Sequence, residues 1–203
     1  YIYSADGKKL SVIHKSSAEN RTDYVGNMIY ENGSLKRILV DGGYIENGTY
    51  YFYLQDHLGN NRVVAKSDGT VIQTNHYYPF GMSFTESTHG DKQPYKYNNK
   101  ELDMNNGLNW YDYDARQMEA VSGRFTSIDP MAEKYYSWSP YSYCLGNPIK
   151  FVDPTGTLPS PYYTEDGTFL GVDEKGFTGA IYITNKATFD KYSNKGVANS
   201  KLI

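Results

Sequence analysis

Turn dipeptides punctuate the first half of the chain at Asp6-Gly7, Asn32-Gly33, Asp41-Gly42, Asn47-Gly48, Gly59-Asn60 and Asp68-Gly69. A two-residue type I′ hairpin turn needs positive φ at both central positions, and Asn-Gly and Asp-Gly adopt it at least cost. Between the turns lie short β-rich stretches at 27–31, 35–40, 50–54, 62–66 and 70–74. Each is about five residues long, the ordinary length of a strand. Hairpin following hairpin predicts a β-meander or β-solenoid, whose units are too short to fold singly. The composition agrees, with 22 Tyr to build strands and 19 Gly to turn them. An aromatic content of 16% argues against a disordered chain.

From about Lys92 the texture changes. A strand-like segment at 94–100 leads to an aromatic block at 108–116 and a turn at Ser122-Gly123. The stretch 129–139 suits a short helix, with Asp129 as N-cap and Pro130 at the first helical position. Residues 149–152 form a last extended piece, and the Pro- and Ser-rich run 157–161 reads as a linker. The tail resumes with strand-like segments at 168–172 and 180–184.

The formal charge of -3 and pI of about 5.8 give no footprint for nucleic acid or an anionic membrane. Cys144 is the single cysteine, so no intrachain disulfide framework is available. No run approaches the roughly 18 consecutive apolar residues of a spanning helix. The chain opens at Tyr1 within a strand-like pattern, without Met or a signal sequence. It is therefore expected to be part of a longer protein, with any export signal upstream.

Several segments resemble the Rhs repeat-associated core family, in the family's order. Tyr53-Leu-Gln-Asp-His-Leu-Gly-Asn-Asn-Arg-Val63 is similar to its strand-turn signature, and Tyr77-Tyr-Pro-Phe-Gly81 to its Tyr-x-Pro-Phe-Gly element. Lys100-Glu-Leu-Asp103, Asn106-Gly-Leu108 and Tyr111-Asp-Tyr-Asp-Ala-Arg116 resemble the next block. Gly123-Arg-Phe-Thr-Ser-Ile-Asp-Pro130, Pro140-Tyr-Ser-Tyr-Cys-Leu-Gly-Asn-Pro148 and Asp153-Pro-Thr-Gly156 complete the set. The resemblance implies YD-like repeat strands at 1–49, a repeat-associated core at 50–156, and a linker with the start of a variable C-terminal region at 157–203.

Similar proteins wind YD repeats into a hollow β-shell, and this core curls inward to plug one end. The resemblance therefore implies a mainly β chain of meandering hairpins, part of such a shell with an inward-curling plug and few short helices. In many members the C-terminal region is a toxin held unfolded inside. The implied function is encapsulation and delivery for a secreted or surface polymorphic toxin. Its partners are the enclosed C-terminal region and an immunity protein or secretion-system component, without nucleic acid, cofactor or membrane span. A closed sheet also protects strand edges, while Tyr gives each strand an apolar face with a polar tip.

In the resembled family two aspartates cooperate in self-cleavage just after the second Asp-Pro-x-Gly motif. The matching residues are Asp129 and Asp153, each followed by proline. Two carboxylates held close share one proton, so one activates water while its protonated partner polarises the scissile carbonyl. Arg124, in the Gly-Arg-Phe element, is the expected electrostatic partner of the first carboxylate. Asp-Pro is equally an ordinary helix-start or turn dipeptide, because Asp caps and Pro presets φ. Three features depart from the family pattern: Ala132 for Gly, a longer gap of 133 to 152 between the motifs, and Thr157 where Leu is expected. Leu158 follows one place late and precedes Pro159, whose tertiary amide lacks an N–H. The expected cut lies between Gly156 and Pro159.

Other constellations carry less chemistry. His14, His57, His76 and His89 are scattered without metal-site spacing, and the Asp-rich turns lack the alternating ligands of a Ca²⁺ loop. Trp110 and Trp138 with neighbouring tyrosines fit core packing better than a sugar-stacking platform. The alternative function is a non-enzymatic cell-surface adhesin or carbohydrate-binding scaffold.

Overall fold

The computed structural model describes residues 1–5, 8–15, 19–84, 86–90, 92–134, 136, 138–157, 161–163, 169–173, 182–194 and 197–198. The chain is mainly β and divides into two units, Tyr1–Asp114 and Ala115–Ile203.

The first unit is built on a nine-stranded sheet in strict sequence order. Its strands are β1 (Ile2–Tyr3), β2 (Lys9–Lys15), β3 (Glu19–Val25), β4 (Met28–Glu31), β5 (Ser34–Val40), β6 (Gly43–Glu46), β7 (Thr49–Gln55), β8 (Asn61–Lys66) and β9 (Val71–Thr74). Every neighbouring pair is antiparallel. The turn chemistry explains the order. Asn32 and Gly33 have φ of 49° and 80°, and Asn47 and Gly48 have 50° and 73°, the double left-handed pair of a type I′ turn. Gly26, at φ 63° between the paired Val25 and Met28, makes a two-residue turn of the II′ kind that carries no Asn-Gly or Asp-Gly signature. Gly69 at φ 87° follows a tight turn closed by its N–H on the Lys66 carbonyl. Asp6-Gly7 lies outside the described residues.

Strand alternation gives the sheet two unlike faces. Tyr24, Ile29, Arg37, Tyr44, Tyr51, Tyr53, Val64 and Gln73 share one face by register. Ile29, Arg37, Tyr44, Val64 and Gln73 are buried there. Tyr44 stacks on Tyr51 with centroids 4.6 Å apart and planes 4° from parallel. On the opposite face Val25, Phe52 and Leu54 are exposed.

Against this core pack the bridge-rich segment after β9 and a hairpin of β10 (Glu101–Asp103) with β11 (Trp110–Asp112). Lys9 reaches Glu101 and Asp112, each at 2.6 Å. Burial opposes the charged Lys9, but the two carboxylates outweigh it and raise its pKa. In the Tyr77-Tyr-Pro-Phe-Gly81 element, the Tyr97 and Tyr111 hydroxyls donate to the Pro79 and Gly81 carbonyls at 2.7 and 2.9 Å.

The second unit opens with a short hairpin of β12 (Gln117–Glu119) and β13 (Arg124–Phe125). Where a helix is expected over 129–139, the described residues form a 3₁₀ turn at Ala132–Lys134. Further on are β14 (Pro161–Tyr163), β15 (Phe169–Asp173), β16 (Tyr182–Ile183), the helix α1 (Lys186–Tyr192), β17 (Ser193–Asn194) and β18 (Val197–Ala198). These five strands form a mixed sheet, ordered β16-β14-β15-β18-β17. The expected linker thus already enters a strand at Pro161.

Candidate functional site

The second unit buries three charged residues together: Arg116, Asp129 and Asp153. Each arrives there for a local reason. Arg116, Met118 and Ala120 are buried while Gln117 and Glu119 between them are half-exposed, the alternation of an extended segment with one face inward. Asp129 ends the stretch after β13 and caps the following turn, its Oδ1 accepting from the Met131 N–H at 2.7 Å. Asp153 closes the Asp-Pro-Thr-Gly turn. Its Oδ1 accepts from the N–H groups of Thr155, Gly156 and Thr157 at 3.3, 2.8 and 3.1 Å.

Arg116 joins these pieces. Its Nη2 lies 2.8 Å from Asp129 Oδ2 and 3.5 Å from Asp153 Oδ2. Among the described residues that nitrogen makes no well-aligned hydrogen bond, so its charge is its main service to the two carboxylates. Nη1 donates to the Pro140 carbonyl at 2.9 Å, and the same carbonyl accepts the Asp129 N–H at 3.0 Å. Nε donates to the Gly156 carbonyl. The guanidinium carbon stands 3.6 Å from the centre of the Phe125 ring, a cation–π contact away from water. Burial lowers the Arg116 pKa, while Asp129 and then Asp153 raise it again.

Two carboxylates against one guanidinium leave one negative charge to be met by hydrogen bonds. Asp153 has three amide donors for it, Asp129 one. The buried Cys144 thiol is pushed well up by burial and by the Asp153 charge.

The two aspartates singled out in the sequence therefore meet in one buried cluster, together with the Gly156 backbone. Arg124 does not join them. It is exposed on β13, in register with Glu119 and bridged through its backbone to Ser142, and it makes no ion pair among the described residues. Its neighbour Phe125 takes the inward position, because adjacent strand residues face opposite ways. Arg116 occupies the role assigned to Arg124. Ala132 donates its N–H to the Asp129 carbonyl at 2.9 Å and Thr157 is held by Asp153, while Leu158 and Pro159 lie outside the described residues. Trp138 is exposed and Trp110 half-buried. His14 lies 3.6 Å from Asp103.

No family model matches the chain. Salivary gland surface protein 1 of Aedes aegypti is 34% identical over 118 residues, which are 57% of this chain and 3% of that protein. Among solved structures, the TcdB2-TccC3-TEV complex overlays 77% of this chain and 9% of its own, with a TM-score of 0.64 and 22% identity. The fold is similar to that of a stretch of this complex. The Photorhabdus luminescens Tc holotoxin pore gives a TM-score of 0.61 at 20% identity, over 76% of this chain and 8% of that one. The chain thus spans less than a tenth of these solved proteins, and what it shares with them is a β-rich fold. Among the described residues no helix is long and apolar enough to cross a membrane.

Proposed function

We propose that the chain is the encapsulation and delivery module of a secreted or surface polymorphic toxin, and that it cuts itself once between Gly156 and Pro159. In this reading residues 1–49 are YD-type strands, 50–156 an Rhs repeat-associated core that plugs a β-shell, and 157–203 the start of a variable C-terminal region. Its partners are the enclosed region and an immunity protein or secretion-system component.

The observation that carries the reading is the buried Asp129–Arg116–Asp153 cluster, with Asp153 gripping the backbone at the expected cut. In a low-dielectric site, a carboxylate can take a proton from water while fixed donors hold the carbonyl under attack. The fold shared with part of a Tc toxin complex supports the delivery reading. Arg116 replaces Arg124 as the charged partner of Asp129. The test is the intact mass of the purified chain beside Asp153→Asn: the wild type should separate into two fragments and the variant stay whole. Identical intact masses would end the proteolytic claim.

A second reading, a non-enzymatic surface adhesin, draws on the exposed apolar face of the nine-stranded sheet and on the likeness to a salivary gland surface protein. Binding on a glycan array by a chain that remains intact would favour it.

A further inference from the structure

We infer that the open pocket beside the Tyr44–Tyr51 stack binds a sugar unit that carries a carboxylate or a sulfate. The inference deepens the adhesin reading above and rests on it.

The pocket lies wholly in the first unit and measures about 330 Å³. Sites for small ligands begin at about that size, with a range of roughly 300–1,000 Å³. Strand register builds one wall. Tyr44 of β6 stands opposite Tyr51 of β7, and Tyr51 stands opposite Lys66 of β8, so the three side chains form a row on one face of the sheet. Tyr44 is buried, and its parallel ring fixes that of Tyr51, which stays partly exposed at the pocket wall. A sugar ring has C–H bonds on its faces and hydroxyls around its rim. It suits a rigid phenol, which offers an apolar body with a polar tip.

Charge selects which sugar. Glu46, the carboxylate that lines the pocket, is already met by Arg37 at 2.6 Å and Lys36 at 3.2 Å. Lys66 and Lys92 also line it, and neither makes an ion pair among the described residues. Lys92 is tied to this face of the sheet, because its carbonyl accepts from Nη2 of buried Arg37 at 2.9 Å. Exposed His89 adds ring nitrogens to the same pocket. The pocket is thus locally positive in a chain whose formal charge is -3. An anionic substituent entering it gains charge-assisted hydrogen bonds from the two lysines, while the sugar ring rests on Tyr51. A nucleic-acid strand fits less well. It calls for a line of cations along its backbone, and two lysines at one concavity neutralise only about two phosphates.

Isothermal titration calorimetry of the 203-residue chain tests this with heparin tetrasaccharide, hyaluronan tetrasaccharide and neutral chitotetraose. The variants are Lys66→Gln, Lys92→Gln and, as a control, Lys15→Gln at an exposed position on β2. An anionic tetrasaccharide should bind and chitotetraose should not. Preference for heparin identifies the anion as sulfate, and preference for hyaluronan identifies it as carboxylate. Loss of one charge-assisted contact should weaken binding about tenfold in Lys66→Gln and in Lys92→Gln, with Lys15→Gln unchanged. Equal weakening in all three variants, chitotetraose binding as tightly as the anionic sugars, or displacement of both by a single-stranded oligonucleotide overturns the site. Saccharide binding untouched by Lys66→Gln and Lys92→Gln also overturns it but leaves the adhesin reading standing. No binding to any saccharide, on the array or in solution, ends both.

Discussion

Replacing Arg116 by Met keeps the length and apolar stem of the side chain and removes the guanidinium. Two buried carboxylates then lose their one cation, and the Pro140 and Gly156 carbonyls lose their donor. Removing one partner from a buried charge cluster costs about 3–5 kcal/mol, because the remaining charge is left desolvated and uncompensated. The lost contact with Phe125 pushes toward the upper end of that range. A domain's whole stability is roughly 5–15 kcal/mol, so a cost of about 4 kcal/mol is severe. In urea unfolding followed by circular dichroism, with a slope of about 2 kcal/mol/M, the midpoint should fall by roughly 2 M. The cause is separable from a general packing defect. Adding Asp129→Asn and Asp153→Asn to Arg116→Met removes the orphaned charge and should recover more than half of the loss. A cost below about 1 kcal/mol for Arg116→Met, or no recovery in the triple variant, would refute the charge argument.

Two further outcomes follow from the first unit. A Cβ on Gly43 would lie 1.9 Å from the Tyr51 carbonyl oxygen, so Gly43→Ala must part β6 from β7 at a cost of about 3 kcal/mol. Gly48→Ala meets open space and only the strain of φ +73°, about 1 kcal/mol, so similar urea midpoints for the two would count against the tight register at Gly43. Burial first of all raises the pKa of Tyr24, Tyr44, Tyr53, Tyr77, Tyr95 and Tyr111. A phenol raised in the folded state contributes stability that is complete below its unfolded value, about 10, and is lost as pH climbs above it. Ultraviolet titration should therefore show these six protonated at pH about 11 until the chain unfolds; ionisation of all 22 near pH 10 with the β signal intact would contradict this.

The meander was legible because its turns are written in local chemistry. The strand expected over 35–40 is β5 at Ser34–Val40, and that expected over 50–54 is β7 at Thr49–Gln55. The Val25–Met28 turn is harder to read, because a single Gly at its first central position carries less signal than Asn-Gly. The interior of the first unit was less legible still. Asn61 and Gln73 are fully buried there, Asn61 bonding the Tyr95 carbonyl and Asn99, and Gln73 bonding Asn75 and the Gln93 N–H. Composition assigns such amides to the surface, and only their long-range partners make burial affordable. Turn dipeptides fix neighbours in sequence, whereas the bonds from Asn61 to Tyr95 and Asn99, and from Gln93 to Gln73, span 20 residues and more.

The site divides along the same line. Asp129 and Asp153 could be found because each heads a local Asp-Pro turn, with a carboxylate that caps amides a few residues ahead. Proximity to Asp129 in sequence favours Arg124, but strand parity decides which arginine reaches the carboxylate, and that is Arg116. A signal existed: Met118 and Phe125 are the apolar members of their short strands, so residues an even number of places from each turn inward with it. Arg116 is two places from Met118, and Arg124 is adjacent to Phe125. Parity alone sends Arg124 outward and Arg116 inward. An inward arginine is tolerated only where carboxylates await it, and the chain supplies two from turns whose backbone already faces the same point. The demands of burying one cation thus draw together residues 116, 129, 153 and 156, and any chemistry at Gly156 inherits its geometry from that packing requirement.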